Sequence, residues 1–261
     1  MLNKKKSFID KIPNWGWLMI SLATALLLWY FLSVNEKTAR VFPFIDKMIV
    51  AFKTVTEREI LWADIKSSMT SVLLGFLFGF LTSVPVAFLM AWYRPVRYIL
   101  EPWIQFIRNI PPLAYVPLVV IAVGVGRVPQ VIVIWIATFL TMTITIYQGV
   151  RNVDETLIKA ARVLGAKDSD LFVKVIFPAT TPFIITSIRL GISVALTTLI
   201  AAESTGASAG LGMRVQALNS SFDTQPMMLY IIVIGVIGML AEKILKFFER
   251  RLTAWQEKRE I

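Results

Sequence analysis

The sequence has no cysteine and no histidine among its 261 residues. Without thiols there can be neither a disulfide framework nor a thiolate metal site. Without imidazole, the commonest metal ligand and the usual near-neutral proton shuttle are also missing. No GxxxxGK(S/T) run occurs, so the usual backbone cradle for the phosphates of ATP is lacking. Charge is sparse as well: charged residues make up 17% of the chain and hydrophobic residues 56%. At a mean hydropathy of +0.68 there is more apolar surface than one soluble core can hide, which places the chain in a bilayer.

Six apolar runs are long enough to cross, given that a span takes ~20 mostly apolar residues. They are Gly16 to Val34, Met69 to Trp92, roughly Ile104 to Val125, Val131 to Tyr147, Ile184 to Ala202 and Met227 to Leu245. The first follows MLNKKKSFIDKIPNW, which has the polarity of a secretory signal. Its apolar run is long and no small-x-small cleavage site follows, so it reads as an uncleaved span. No internal repeat or low-complexity tract is visible, and residues 1–261 read as one domain. The expected fold class is all-α, a polytopic membrane protein with six transmembrane helices.

A net charge of +10 would point to nucleic acid only if the basic residues gathered on one face with aromatics among them. Most of them instead flank the apolar runs. With both termini cytoplasmic, the inner segments hold seventeen of the 27 basic residues, including Lys4, Lys5, Lys6, Lys11, Lys258 and Arg259, and the outer segments hold eight, including Lys47, Arg58, Arg127 and Arg214. The positive-inside rule therefore predicts both termini inside. Arg108, Arg189, Glu101 and Glu203 lie at or near span ends, where charge must face protein or water. They are candidates for a polar route, with packing anchors as the alternative.

The third run, EPWIQFIRNIPPLAYVPLVV, carries Pro102, Pro111, Pro112 and Pro117. Each proline removes a donor and crowds the preceding turn, which predicts a kinked or broken helix. At membrane depth such a break is tolerated only against protein or a water-filled cavity. In the first outer loop, Ile45, Ile49, Phe52 and Val55 recur at three- and four-residue spacing. They predict an amphipathic helix within 43–65, lying on the membrane or on the bundle.

Between the fourth and fifth runs stands a charged stretch, residues 150–180, that contains KAARVLGAKDSDLFVKVIFP from Lys159 to Pro178. Leu157, Ala160, Ala161 and Leu164 have helical spacing, acids open the segment where the helix dipole favours them, and Gly165 is placed to stop it in the left-handed conformation. Asp168 or Ser169 is positioned to cap a second short helix with Leu171, Phe172, Val175 and Ile176 as its apolar stripe and Pro178 ending or bending it. A helix so short is marginal alone and needs a partner. The orientation above puts this element in the cytoplasm, where docking is its expected use.

Ala160 to Pro178, AARVLGAKDSDLFVKVIFP, resembles the cytoplasmic signature loop of the permease subunits of bacterial ABC importers. LEPWIQFIRNIPPLAYVPL, GVRNVDETLIKAARVLGA, IRLGISVALTTLIAAE and GASAGLG are similar to the permeases that import nitrate, sulfonates or taurine. The resemblance implies a multi-pass protein of the bacterial cytoplasmic membrane that works as a homodimer with two cytoplasmic ATPase subunits and an extracytoplasmic solute-binding protein. ATP and Mg would then be bound by the partner subunits, and no cofactor by this chain. It also assigns ATPase coupling to Lys159, Ala160, Ala161, Gly165, Ala166, Phe172 and Val175. The family's loop usually begins with glutamate where this chain has Lys159. Either the ATPase carries a compensating acid, or Glu155 substitutes.

For the route, Arg189 offers a planar donor fork suited to oxyanions, and Arg108 and Thr197 join it with Glu203. Hydroxyls such as Thr138, Thr141, Thr143, Thr145, Thr186, Ser193 and Thr197 can line water, but they bond to their own helix carbonyls equally well. Gly206, Gly210 and Gly212 in GASAGLG allow tight irregular backbone, and the resemblance makes this an outer gate. The expected function is import of a small anion such as a sulfonate, taurine or nitrate. A same-family importer of a pyrimidine vitamin precursor, riboflavin or another small organic is the alternative. A membrane-embedded enzyme would need Asp154, Glu155, Asp168 and Asp170 to converge on a metal or phosphate. An ion-coupled transporter would show inverted repeats, and none is visible.

Overall fold

The structure is a computed structural model and describes residues 13–252. The terminal lysines and arginines used for orientation, Lys4, Lys5, Lys6, Lys11, Lys258 and Arg259, lie outside the described residues. Those residues are helical, with no strand among them. In chain order the helices are α1 (Asn14–Val34), α2 (Ile45–Glu57), α3 (Ile60–Trp92), α4 (Arg94–Arg108), α5 (Pro112–Val123), α6 (Arg127–Arg151), α7 (Glu155–Val163), α8 (Asp168–Leu171), α9 (Phe177–Glu203), α10 (Leu211–Ser220) and α11 (Thr224–Leu252).

Five helical segments are long and apolar enough to cross a membrane, and six crossings result if the bent pair α4 and α5 is one. The expected third span is indeed broken. The chain turns by 105° between α4 and α5 at Asn109 to Pro111, and the helical part begins ten residues before the expected Ile104. Two other boundaries move outward. α3 starts at Ile60 rather than Met69, and α9 is continuous with α8 through a π-helical turn, Phe172–Ile176.

Of the two expectations for Pro178, an end or a bend, the end is ruled out, because the helix runs through it by way of that π turn. In the wider turn the Phe177 amide donates to the Phe172 carbonyl, five residues back, which eases the crowding a proline one residue later imposes on the preceding carbonyls. Asp168 and Ser169 are not caps either, because Lys167 occupies the N-cap position and Asp168 opens the helix.

The core is a sheaf of α3, α6 and α9. One face of α3 makes it possible: Asp64, Ser68, Ser71, Gly75, Gly79 and Ser83 recur every three or four residues and are all buried. A Cβ on Gly75 would lie 2.7 Å from Ile134 of α6, and one on Gly79 would collide with Thr138. Small residues thus bring the two backbones together, as helix pairing in lipid requires. Gly149 of α6 meets Phe183 of α9 in the same way.

The ends of the sheaf differ. At one, Phe88 of α3 stacks edge-on against Phe172 at 5.1 Å, within a cluster that includes Ile104, Ile144 and Leu171. This is the arm end, from which α7 projects. At the other, Leu61, Leu211 and Tyr230 are buried together with Val55 of α2 packed against them. This is the loop end. Of the predicted amphipathic helix, α2, Val55 packs inward, while Ile45, Ile49 and Phe52 face a groove shared with Leu22 and Trp29 of α1 and Leu229 of α11.

Candidate functional site

At the loop end, two carboxylates that share no sequence neighbourhood are buried within one hydrogen-bond network. Asp64 and Glu203 are both fully buried. Glu203 Oε1 accepts from Ser68 Oγ at 2.7 Å and Oε2 from the Gly212 amide at 2.7 Å. Ser68 Oγ in turn accepts from the Leu211 amide at 2.8 Å. Asp64 accepts from the Gly210 amide at 3.0 Å, from Arg214 Nε at 2.9 Å and from the Tyr230 hydroxyl at 2.8 Å. Three successive backbone amides therefore end on side chains of α3 and α9, and the carboxylates gain the partners that buried charge requires.

This geometry explains two of the three expected gate glycines. Gly210 has φ 149°, and a Cβ there would run into the Glu203 carboxylate. A Cβ on Gly212 would come within 2.8 Å of the Ile200 backbone. Gly206, at φ 80°, packs instead beside Val125 in the loop between α5 and α6. Glu203, Gly210 and Gly212 are thus brought to one place, with Gly206 outside it. Asp64, Ser68, Arg214 and Tyr230 complete it and were not singled out from the sequence. The signal available was the small, polar stripe of α3, which has Asp64 at its head.

Arg189 and Thr197 lie elsewhere on α9. With Ser193 between them they follow a four-residue spacing along a groove of about 320 Å³ between α9 and α11, closed on the far side by Gly238 and Glu242. Most of the hydroxyls in question are engaged locally. Thr141, Thr145, Thr186, Ser193 and Thr197 each donate to the carbonyl four residues before, and Thr143 Oγ is buried without a partner among the described residues. Arg108 ends α4 exposed, on a different element from Arg189.

At the arm end, α7 is closed at both ends. Asp154 caps it by accepting from the Thr156 amide at 2.7 Å, and this hydrogen bond holds the carboxyl below its ordinary range. Gly165, at φ 81°, donates to Arg162, and the Ala166 amide reaches back to Ala161 at 3.0 Å. This paired closure is the Schellman arrangement. Lys159 pairs with Glu155 at 3.1 Å on the exposed surface.

No residue of α7 is buried, and Ala160 is exposed while Ala161 is half-buried. Leu157 is 53% exposed, and Val163 and Leu164 are 87% exposed. Of the expected coupling set, Ala161, Phe172 and Val175 are partly buried and pack against the chain's own core. Phe172 sits between Phe88 and Trp92. The four acids of the enzymatic alternative do not converge: Asp154 caps, Glu155 pairs with Lys159 and Asp170 pairs with Lys174 at 2.7 Å. Among the described residues no cluster of three or more acids could hold a metal ion.

Comparison with known proteins gives three findings. Residues 75–254 match the family described as the binding-protein-dependent transport system inner membrane component. A probable ABC transporter permease protein of Brucella abortus (strain 2308) is 40% identical over 95% of this chain and 98% of its own, and the taurine transport system permease protein of Escherichia coli (strain K12) is 37% identical over 75% of this chain and 71% of its own. A crystal structure of an amino acid ABC transporter superposes with a TM-score of 0.65 at 19% identity, covering 77% of this chain and 97% of that one, and so shares the fold.

Proposed function

Since the chain belongs to the family of inner-membrane components of binding-protein-dependent transport systems, we propose that it carries a small oxyanion, of the sulfonate class that includes taurine, across the membrane. It is a multi-pass permease subunit of an ABC importer. Two copies form the route, and both termini face the cytoplasm. Two ATPase subunits bind ATP and Mg, and an extracytoplasmic binding protein delivers the substrate at the loop end.

The observation that carries this reading is α7, a nine-residue helix capped at both ends that buries none of its residues and holds Leu157, Val163 and Leu164 outward. A helix of that length is marginal unless it leans on something; Ile158 and Ala161 rest on the chain's own core, and an ATPase groove supplies the partner for the outward face. Lys159 and Glu155 neutralise each other here, so the arm presents its apolar end to the partner. Conformational change is then an exchange of access between the two ends of the sheaf. The taurine relative supports the substrate class, and Arg189, with a guanidinium fork suited to oxyanions, stands beside Ser193 and Thr197 as the anion-facing stripe.

The test is reconstitution of the permease with its ATPase and binding protein in lipid. Taurine-loaded binding protein should stimulate ATP hydrolysis and taurine uptake together, and Leu164→Asp should abolish both while the protein stays in the membrane. Unchanged uptake in Leu164→Asp would remove the coupling role of α7. Stimulation by loaded binding protein of a different substrate class, with none by taurine or other sulfonates, would remove the substrate assignment.

A further inference from the structure

We propose that the outward-facing groove between α3 and α6 binds one acyl chain of an anionic phospholipid, whose phosphate rests on Arg127. The groove holds about 530 Å³ and is walled by Leu74 and Phe78 of α3 and Val131 and Ile132 of α6. Its inner end is Trp135, whose indole N–H donates to Thr82 Oγ1 at 3.0 Å. The one polar group on that ring is thereby satisfied within the protein, and the end wall presents carbon. Arg127 opens the other end.

Three observations select the occupant. First, depth: from Arg127 to Trp135 is eight residues, about 12 Å along the helix, against roughly 15 Å for half of the hydrocarbon core. The groove therefore spans most of one leaflet, and its cation sits where headgroup phosphates lie. Second, charge: α6 ends in an arginine on both sides, and Arg151 lies against Tyr147, 3.4 Å from the hydroxyl and 6.0 Å from the ring centroid. Arg127 has no hydrogen bond or ion pair among the described residues. A charged group at a span end needs a counterpart, and a lipid phosphate is the anion available at that depth.

Third, the main competitor fits less well. α1 has more free apolar surface than the other spans, so a second copy could lay it in the groove. It carries no acid anywhere from Asn14 to Val34 and would leave Arg127 without a counter-charge.

The test offers the full chain equimolar phosphatidylglycerol and phosphatidylcholine and counts retained lipids by native mass spectrometry. Phosphatidylglycerol should be retained over phosphatidylcholine roughly fivefold, the effect of one basic residue near an anionic lipid surface. Arg127→Gln should bring that ratio near one and Arg127→Lys should restore it. Leu74→Trp, which fills the groove from the membrane side, should remove retention of both lipids, and it decides the matter if Arg127→Gln does not fold. Equal retention of the two lipids by the native chain would overturn the proposal, as would unchanged retention in Leu74→Trp. So would an intermolecular disulfide between co-expressed copies carrying Val131→Cys and Phe31→Cys, which would place α1 of a second copy in the groove.

Discussion

At Gly210 the space a side chain would need is taken by the Glu203 carboxylate. Gly210→Ala is therefore expected to cost about 1–3 kcal/mol from overpacking alone, with backbone strain added at φ 149°. Gly191→Ala is expected to be milder, because the atom it meets is Met142 Sδ at 2.6 Å, near the end of a flexible side chain. Thermal unfolding of the two variants in detergent checks the order. Asp64→Ala should be the harshest of the loop-end substitutions at about 3–5 kcal/mol, since it strands the Gly210 amide, Tyr230 hydroxyl and Arg214 guanidinium together. Ser67→Ala, which removes one half-buried bond to the Ala209 carbonyl, should cost about 1 kcal/mol. Glu203 and the glycines around it were legible in the sequence as unusual residues. Their partner was not, because the contact between Ser68 and Glu203 joins positions 135 residues apart and no local pattern encodes which stripe meets which loop.

Among the elements, α7 is the one whose sequence and structure agree in most detail. Its start at Asp154, its apolar spacing and its stop at Gly165 all follow from local chemistry. Nothing lies within 4 Å of a Cβ built on Gly165, so substitution there acts through backbone conformation and not through a clash. Gly165→Asn should keep coupling, since asparagine tolerates the left-handed region, whereas β-branched Gly165→Val should raise the ATP hydrolysed per substrate moved. The ratio of hydrolysis to uptake in proteoliposomes checks both. The Asp154 carboxyl is held low by the Thr156 amide, so this cap is complete at every pH above the ordinary aspartate range and weakens only as pH falls through the lowered value. At neutral pH, Asp154→Ala should lose amide protection across α7 by hydrogen exchange and leave α6 unchanged. The neighbouring stripe of Phe172 and Val175, expected to face a partner, is partly buried against the chain's own core. The π turn lets the helix run through Pro178.

For the whole molecule, the span count came from hydropathy alone, while the break in the third span came from its prolines. What hydropathy could not give is which face of each span meets protein. α1 and α6 are both apolar along most of their length, yet 6% of the best window of α1 is buried and 61% of that of α6. The difference lies in small residues that let α6 pack closely, Gly75 and Gly79 on the neighbouring α3 and Gly149 on α6 itself. The cysteine-free chain permits a direct test of orientation: Leu164→Cys should react with a membrane-impermeant thiol reagent only in inverted vesicles, and Ser208→Cys only in intact cells. The reverse result would place α7 outside and end its assignment to the ATPase. From Asp168 to Glu203 the polypeptide is one uninterrupted helical path of 36 residues, about 54 Å long. For a rigid member of that length, a tilt of about five degrees about its middle would displace each tip by about 2 Å. That stroke is comparable to a hydrogen-bond length, so if the proposed partner tilts this member from the arm, the expected result is separation of the Gly212 amide from the Glu203 carboxylate at the opposite tip.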